Sequence, residues 1–350
     1  MKTTRESLLN AAKLASRATE KKNNIPALSC LLIESNQITG CDLKRQVIAK
    51  MMEPIEGWES VAAPADKLVN ILTALPKGAD VSLKQDDGHI IIKSGRSRFK
   101  LSTIPAEQFP DYARSGAEGL RNSAALVEAM CAMKFAAPTD DTRHYLNGLL
   151  VEYQDGVAQY VVGTDGHRLS ARKMEPSKEF QRAIIPTSAV VDICSLFGSV
   201  DDVVIRLGRN VEAEAGDVIY RSNLIEGNYP DWRRIVPSFE APYTVPRDSL
   251  VSAIRQAEIT ANAKVRAARF FFESGSARVE SHNPDHDELV AEFDCETSLD
   301  PVEIGVNLAY LRDCAEAIDS DHITVHVAEP GKPLLVRHED DVHLVMPIRL

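Results

Sequence analysis

The sequence contains no apolar run that could cross a membrane. Short apolar stretches such as residues 149–151 and 270–272 fall far below the roughly 20 residues that a spanning helix needs. Aromatic residues are scarce, at 6%, and the 18 glycines and 18 prolines are too few and too irregular for a collagen. Charged residues interrupt residues 1–14, so the unbroken apolar core of a secretory signal is missing. We therefore expect a cytoplasmic globular protein.

The six cysteines form no CxxC pair and have no regular spacing. Neither a disulfide framework nor a zinc cage is indicated, and we expect reduced, mainly buried thiols. The sequence also lacks a Walker A loop, a GxGxxG fingerprint and a GxSxG elbow. The usual motifs for nucleotide hydrolysis, dinucleotide binding and serine-nucleophile catalysis are thus missing, and we expect no cofactor and no metal.

The balance of charge changes along the chain, whose net charge is −11. Residues 1–118 have 17 basic and 14 acidic side chains, residues 119–240 have 13 and 17, and residues 241–350 have 10 and 20. A solvated surface explains such a gradient. The alternative is a head-to-tail contact in which the basic first third of one chain meets the acidic last third of another.

An internal repeat organises the chain. Apolar residues recur with helical period in six segments, which form three pairs about 120 residues apart. The predicted helices are 5–17, 66–75, 123–135, 188–197, 248–259 and 307–318. Between them, short runs alternate apolar and polar residues, which predicts antiparallel strands. These runs are 46–51, 89–93, 157–162, 203–207, 277–281 and 323–327.

Each repeat unit is therefore predicted to be an α+β domain, with two helices packed on one face of an antiparallel sheet. Length alone allows two or three domains. Proline-rich segments place the joints near residues 105–119 and 230–246. We predict domain 1 at residues 1–118, domain 2 at 119–240 and domain 3 at 241–350.

The segment GTDGHRL at residues 163–169 concentrates a hydroxyl, a carboxylate, an imidazole and a guanidinium. An acid/base hydrolase that uses Asp165 and His167 is one hypothesis. The repeat favours another, because the matching segment at residues 41–43 has Asp42 but no histidine. On that interpretation both aspartates hold turns by side-chain to backbone hydrogen bonds.

Two other polar clusters give little support for a metal site. His282 and His286 have the spacing of a shared ligand pair, but the Asn-Pro between them breaks a helix and favours a solvated hairpin loop. Asp140 and Asp141 precede Arg143, which offsets their charge in a turn. The apolar C-terminus, VMPIRL at residues 345–350, is either a last packed strand or part of a groove for peptide anchors.

Eight stretches together resemble one family, the β subunit of bacterial DNA polymerase III, the sliding clamp. They run in the family's order across essentially the whole chain. The matching stretches are PAL 26–28, TGCDL 39–43, SGRSRF 94–99, FPD 109–111, RHYLNG 143–148, TDGHRL 164–169, YPDWRR 229–234 and MPIRL 346–350.

The resemblance implies a head-to-tail dimeric ring of three repeated DNA-clamp domains per chain. The helices line a central hole and the sheets form the outside. A heterologous contact closes a ring when its rotation permits, which agrees with the repeat and with the charge gradient. In the family the contact involves the first helix of the third domain, to which Ile259 and Thr260 correspond.

The resemblance also implies a non-catalytic protein rather than an enzyme. A ring around double-stranded DNA slides without falling off, and it confers processivity on the polymerase subunits tethered to it. Sequence-independent contacts with phosphates suit sliding, because strong base readout would arrest it. The candidate DNA-binding residues are Arg5, Lys13, Arg17, Lys22, Lys67, Arg121, Lys134, Arg255, Lys264 and Arg266.

The family also binds partners through a short peptide with aliphatic and aromatic anchors. These partners are polymerase subunits, the ATP-driven clamp loader and other proteins with a clamp-binding motif. The positions that match the family's peptide site are Leu146, Thr164, Gly166, His167, Arg168, Leu169, Pro237, Asn307, Tyr310, Leu344, Met346, Pro347 and Arg349.

Acidic and neutral residues stand where family members often have basic or amide side chains. Examples are Asp66, Asp140 and the pair at residues 187–188. A clamp-like paralogue without effective DNA binding is therefore an alternative to a working clamp.

We predict that DNA binding is weaker than in a typical family member, because fewer cations face the phosphates. We also expect it to be more salt-sensitive, in the sense that a weaker complex is lost at a lower salt concentration. Filter binding across a salt titration, with a well-characterised clamp as control, measures both quantities. Equal affinity at every salt concentration would contradict the prediction.

Overall fold

The computed structural model describes residues 2–21, 24–112, 123–154, 158–175, 182–237, 241–327 and 331–349. Each of the six predicted helices is present, which confirms the periodicity analysis. The helices are α1 (Arg5–Ala15), α2 (Ala65–Ala74), α3 (Ala124–Met133), α4 (Thr187–Phe197), α5 (Arg247–Thr260) and α6 (Leu308–Glu316).

Antiparallel strands fill the segments between the helices. Six of these strands coincide, to within two residues at each end, with the six runs predicted from alternating apolar and polar residues; residue 157 lies outside the described residues. The strands are β1 (Lys2–Thr4), β2 (Cys30–Ile33), β3 (Gln37–Cys41), β4 (Arg45–Lys50), β5 (Val61–Pro64), β6 (Asp80–Gln85), β7 (His89–Ser94), β8 (Ser97–Ser102), β9 (Ile104–Pro105), β10 (Gly148–Gln154), β11 (Ala158–Thr164), β12 (Arg168–Met174), β13 (Ala183–Pro186), β14 (Val204–Leu207), β15 (Asn210–Ala215), β16 (Val218–Asn223), β17 (Tyr243–Pro246), β18 (Ala267–Glu273), β19 (Ser276–His282), β20 (Glu288–Phe293), β21 (Val302–Asn307), β22 (His322–His326), β23 (Leu334–His338) and β24 (Asp341–Val345).

Local chemistry explains where the helices begin. Thr4 caps α1, because its hydroxyl accepts a hydrogen bond from Ser7 N at 3.3 Å. Asn307 caps α6 in the same way, with Oδ1 accepting from Tyr310 N at 3.2 Å. Helices α2 and α5 instead begin directly after Pro64 and Pro246, which end the preceding strands in extended conformation.

The described residues form two compact units, Met1–Val127 with Asp192–Leu224, and Glu128–Val191 with Ile225–Leu350. The first unit contains a four-stranded sheet, in the order β1-β6-β7-β8, and an eight-stranded sheet, β14-β15-β16-β4-β3-β2-β5-β9. Helices α1 and α2 pack against each other, and α1 packs on β3 and β4. Their apolar faces, including Leu8 and Leu72, are buried in one core.

The second unit has the same plan. Its eight-stranded sheet runs β13-β10-β11-β12-β24-β23-β22-β17, and its four-stranded sheet runs β20-β19-β18-β21. Helices α5 and α6 pack against each other over a core that includes Phe270 and Phe272. A second core contains Leu146, Leu169 and Leu344.

Each eight-stranded sheet joins strands of two predicted domains. β16 pairs with β4 in the first unit, and β12 pairs with β24 in the second. The middle repeat therefore contributes strands to both units, while β8 and β20 lie at the ends of the four-stranded sheets. The domain boundaries at residues 118 and 240 stay a prediction.

Two glycines allow a helix end to approach the sheet closely. A Cβ atom on Gly40 would overlap the carbonyl oxygen of Ala15 at the end of α1. A Cβ atom on Gly163 would lie 3.1 Å from the carbonyl oxygen of Met133 at the end of α3. Gly40 therefore leaves no room for a side chain and Gly163 leaves little, and the matching close approach of a helix end supports the repeat.

The cysteine prediction holds for four of the six residues. Cys30, Cys41, Cys295 and Cys314 are free and buried. Cys131 on α3 and Cys194 on α4 are each disulfide-bonded, which corrects the expectation of reduced thiols for these two. Spacing along the sequence could not reveal this, because tertiary structure decides which thiols meet a partner. None of the helices in the described residues has the length and apolar character that a bilayer crossing requires.

Candidate peptide-binding site and basic surface

A tight turn connects β11 to β12 in the GTDGHRL segment. Asp165 Oδ1 accepts hydrogen bonds from the backbone N–H groups of His167 and Arg168, both at 2.9 Å. The Thr164 hydroxyl donates to Arg168 O at 2.6 Å and accepts from Gly166 N at 3.1 Å. Gly166 adopts a φ of +84°, which glycine tolerates best. The prediction that Asp165 holds a turn is confirmed.

Arg168 is fixed on three sides. Its guanidinium donates to Asp165 Oδ2 at 3.1 Å, to Asp313 Oδ2 at 2.6 Å and to Phe135 O at 2.5 Å. It also lies over the rings of Phe135 and Tyr310, at 5.2 and 4.7 Å from their centroids. Arg168 therefore positions the aromatic ring of Tyr310, and its polar groups are used within the protein.

The acid/base hypothesis for this segment lacks geometric support. A catalytic pair needs the carboxylate and the imidazole in contact, ideally in a cleft that excludes water. The Asp165 carboxylate is instead paired with Arg168, and His167 is exposed. The His167 ring stacks on Tyr310, with 6.4 Å between ring centroids and an interplanar angle of 19°.

The C-terminal segment continues along the turn. Met346 N donates to His167 O at 2.8 Å, and Ile348 N donates to Gly305 O at 2.7 Å. The Met346 side chain remains 39% exposed. A cavity of about 490 Å³ opens beside it, lined by Arg269, Glu303, Ile304, Gly305, Gly331, Met346, Pro347, Ile348 and Arg349.

The other predicted peptide-site residues fall into three groups. Leu146, Leu169 and Leu344 are almost fully buried and form the floor of this region. Asn307 caps α6 and donates to Val265 O at 3.1 Å, so its role is structural as well. Pro237 is half-buried, and no hydrogen bond of the described residues ties it to Met346.

Sequence reasoning missed several residues that build this site. Asp313 and Phe135 hold Arg168, and Arg143 donates to Asp165 O at 2.9 Å. Arg143 also binds Asp141, which lowers the pKa of that carboxyl to about 2. Burial raises the pKa of Tyr310, so its phenol stays neutral. Alignment of the repeats could have identified Asp313, because Asp192 occupies the same place in α4.

The predicted DNA-binding residues differ in whether their charged groups already pair with an acidic side chain. Five of these side chains are exposed and form no ion pair within the described residues: Lys13, Lys67, Lys134, Lys264 and Arg266. Arg255 pairs with Glu316 at 2.8 Å, and Arg17 lies 3.7 Å from Asp192. Lys22 and Arg121 lie outside the described residues.

Arg5 has a structural task. It is the first residue of α1, and its Nε donates to Leu72 O at 2.8 Å, at the end of α2. Arg247 occupies the same place in α5 and donates to Ala315 O at 3.1 Å, at the end of α6. Both guanidinium groups donate to carbonyl oxygens near a helix end. The Arg5 guanidinium therefore has fewer free N–H groups with which to bind a DNA phosphate.

The predicted interface residues lie at the end of α5. Ile259 is 81% exposed. The Thr260 hydroxyl is 2.5 Å from the Ser281 hydroxyl. Val290, on the edge strand β20 of the same unit, is 60% exposed.

Family models match the chain in three consecutive parts. They describe the N-terminal, central and C-terminal domains of the DNA polymerase III beta subunit, at residues 1–113, 122–231 and 233–349. A protein named "Beta sliding clamp" from Pseudomonas aeruginosa is 30% identical over 363 aligned residues, with 99% of this chain and 98% of that protein covered. The Escherichia coli K12 protein of the same name is 29% identical at the same coverage.

Solved structures agree with these matches. The P. aeruginosa DnaN sliding clamp bound to griselimycin gives a TM-score of 0.92 at 28% identity, covering 100% of this chain and 99% of that one. Caulobacter crescentus pol III beta gives 0.92 at 29% identity with the same coverage. Another C. crescentus beta sliding clamp, with a TM-score of 0.91, has polyethylene glycol bound to a putative beta-motif tethering region.

One histidine, His343, lies opposite Ser170 on the neighbouring strand β12. His343 is fully buried on β24, and its Nδ1 lies 2.9 Å from the Ser170 hydroxyl. Its Nε2 has no hydrogen-bond partner within the described residues. Burial lowers the pKa of His343 to about 4, because no solvent stabilises the charged ring.

We predict that stability falls as the pH drops from 7 to 5. The unfolded histidine, with a pKa near 6.5, takes up a proton in this range while the folded one stays neutral, so the unfolded state gains about 2 kcal/mol. Urea unfolding at both pH values measures the loss.

The matched variant is His343→Phe. Phenylalanine is chosen because Phe99 is the third residue of β8, as His343 is the third residue of β24. Its stability should depend less on pH. Identical pH dependence in the variant and the native protein would rule out His343 as the source.

Proposed function

The chain belongs to the DNA polymerase III beta-subunit family and is a DNA sliding clamp, and we propose that two copies close head to tail into a ring around duplex DNA. It is a non-catalytic processivity subunit rather than an enzyme. The observation that carries this conclusion is the run of three consecutive family matches along one chain. The bacterial replication machinery works in the cytoplasm, and we place the protein there.

Edge-strand charges support the head-to-tail pairing. Arg98 and Lys100 are exposed on β8, the edge of the four-stranded sheet in the first unit. Glu288 and Glu292 are exposed on β20, the edge of the four-stranded sheet in the second unit. Opposite charges on two unpaired edges favour addition of β20 of one copy to β8 of another. Such a contact also covers the exposed Ile259 and Val290.

The DNA contacts that we propose are electrostatic and independent of base sequence. The leading candidates are Lys13, Lys67, Lys134, Lys264 and Arg266, because no ion pair in the described part of the chain includes them. Arg17 and Arg255 contribute less, since each already has an acidic neighbour. Arg5 contributes least, and Lys22 and Arg121 stay in the proposal.

Partner proteins are proposed to dock at the surface formed by His167, Tyr310, Met346 and Arg349. The stacked rings and the exposed methionine provide apolar contacts, and the neighbouring cavity can receive a side-chain anchor. The buried leucines and Arg168 keep this surface in place. Polymerase subunits, the clamp loader and other clamp-binding-motif proteins would compete for it.

Retention on nicked circular DNA tests the function directly. After loading with a clamp loader and ATP, the protein should co-elute with the circle and should be lost when a restriction enzyme linearises the DNA. A clamp-like paralogue without effective DNA binding would not be retained on the circle. Retention that survives linearisation would indicate ordinary binding instead of encirclement.

We predict that Met346→Glu abolishes partner binding while the dimer persists. A carboxylate at this apolar surface loses its hydration when the peptide docks, so affinity for a peptide with the clamp-binding motif should fall at least about tenfold. Fluorescence anisotropy measures the affinity, and analytical ultracentrifugation measures the dimer.

The control is Met52→Glu, because Met52 is a methionine that is 65% exposed in the first unit. It should bind the peptide normally. Loss of the dimer in Met346→Glu would count against the assigned site.

A further inference from the structure

Three hairpin turns in this chain are built on one template. In the turn from β3 to β4, Asp42 Oδ1 accepts from Lys44 N at 3.0 Å and from Arg45 N at 2.6 Å. Asp165 accepts in the same way in the turn from β11 to β12. In the turn from β19 to β20, which is one residue longer, Asn283 Oδ1 accepts from Asp285 N and Asp287 N, both at 3.0 Å. Arg45, Arg168 and Asp287 therefore occupy equivalent positions.

Two of these positions hold an arginine that ties one repeat to the next. Arg45 Nη1 donates to Asp192 Oδ2 at 2.8 Å, and Arg168 Nη1 donates to Asp313 Oδ2 at 2.6 Å. Asp192 lies on α4 and Asp313 on α6, each six residues after the last residue of the strand that precedes the helix. We call this contact the arginine latch. In both cases the hairpin of one repeat holds the second helix of the following repeat.

The third latch is missing from both sides. At the arginine position the third repeat has Asp287, which is exposed and accepts a hydrogen bond from Asn283 Nδ2 at 2.8 Å. At the aspartate position the first repeat has Asn70, six residues after Pro64 on α2. Asn70 is exposed too, whereas Asp192 and Asp313 have side-chain exposures of 11% and 26%.

We propose that Asp287 faces Asn70 of the partner subunit when the ring closes, so that the joint between copies lacks the latch that both joints within a chain possess. This inference rests on the proposed ring. A carboxylate facing an amide can gain a hydrogen bond but no attraction between opposite charges, whereas each latch combines an ion pair with a charge-assisted hydrogen bond. The joint between copies is thus weaker than it would be with the latch.

Strand register supports the same juxtaposition. Arg45 pairs with Ser222 across β4 and β16, and Arg168 pairs with Val345 across β12 and β24. Ser222 and Val345 each lie four residues after the first residue of their strand, and Leu101 has the same position on β8. If β20 pairs with β8 of the partner subunit in this register, Asp287 lies opposite Leu101 of the partner subunit.

The next pair then has opposite charges. The same register sets Glu288 opposite Lys100 of the partner subunit, where the first unit has a 2.7 Å hydrogen bond between Gln46 and Arg221. Charge complementarity between these two edge strands therefore identifies the occupant of the β20 edge as a second copy of the chain.

A double-mutant cycle tests the proposal. Asp287→Arg and Asn70→Asp are made alone and together, and the dimer dissociation constant is measured by sedimentation equilibrium. Asn70→Asp alone should weaken the dimer, because two carboxylates then face each other. The double variant should bind about tenfold more tightly than the native protein, since it restores the latch.

The matched control combines Asn70→Asp with Glu292→Arg, a charge reversal at an exposed residue of β20, the strand that follows Asp287. That pair should show no coupling. Thermal unfolding followed by circular dichroism checks that each variant is folded, which is expected because Asn70, Asp287 and Glu292 are exposed.

The outcomes distinguish failure of the missing-latch hypothesis from failure of the ring hypothesis. Coupling confined to the Asp287 and Asn70 pair supports the missing latch. A native dimer with additive effects in the cycle overturns the latch and leaves the ring intact. A native protein that stays monomeric at tens of micromolar, and is not retained on circular DNA, overturns the ring and this inference with it.

Discussion

An ion pair between a hairpin arginine and a helix aspartate reinforces each of the two joints between repeats within the chain. Arg45 and Arg168 each belong to a turn held by the preceding aspartate, so their guanidinium groups are oriented before they reach Asp192 and Asp313. A pre-oriented guanidinium loses less conformational entropy than a free one when it pairs. Partial burial of both latches limits screening by salt. Together with strand pairing across each joint, these contacts extend a sheet from one repeat into the next.

Close packing between helix and sheet makes these turns possible. Gly40 and Gly163 let the ends of α1 and α3 lie against β3 and β11, at the strand ends from which the turns begin. Arg5 and Arg247 then satisfy carbonyls at the ends of α2 and α6, which keeps each helix pair in register. These two glycines and two arginines thus stabilise the fold. Fewer cations remain for DNA than a count of the sequence indicates.

The function depends on surfaces and topology. The GTDGHRL segment, which has the composition of a catalytic site, is a structural turn that supports Tyr310 and the C-terminal strand. Buried tyrosines and thiols have raised pKa values because burial disfavours their charged forms, so they remain neutral packing groups. The exposed residues that we propose contact another molecule are Ile259 and Val290, near the β20 edge, and Met346, beside its cavity.

The sequence by itself determined the six helices, six of the strands, the threefold repeat and the two aspartate turns, because periodicity and turn chemistry act over a few residues. It also pointed to the family through short stretches in order. Only the tertiary structure decided that Arg168 is bound to Asp313, that Arg5 closes a neighbouring helix and that two cysteines are oxidised. It also decided which sheet each part of the middle repeat joins. These contacts bring together residues far apart in the chain, and local pattern carries no information about such pairs.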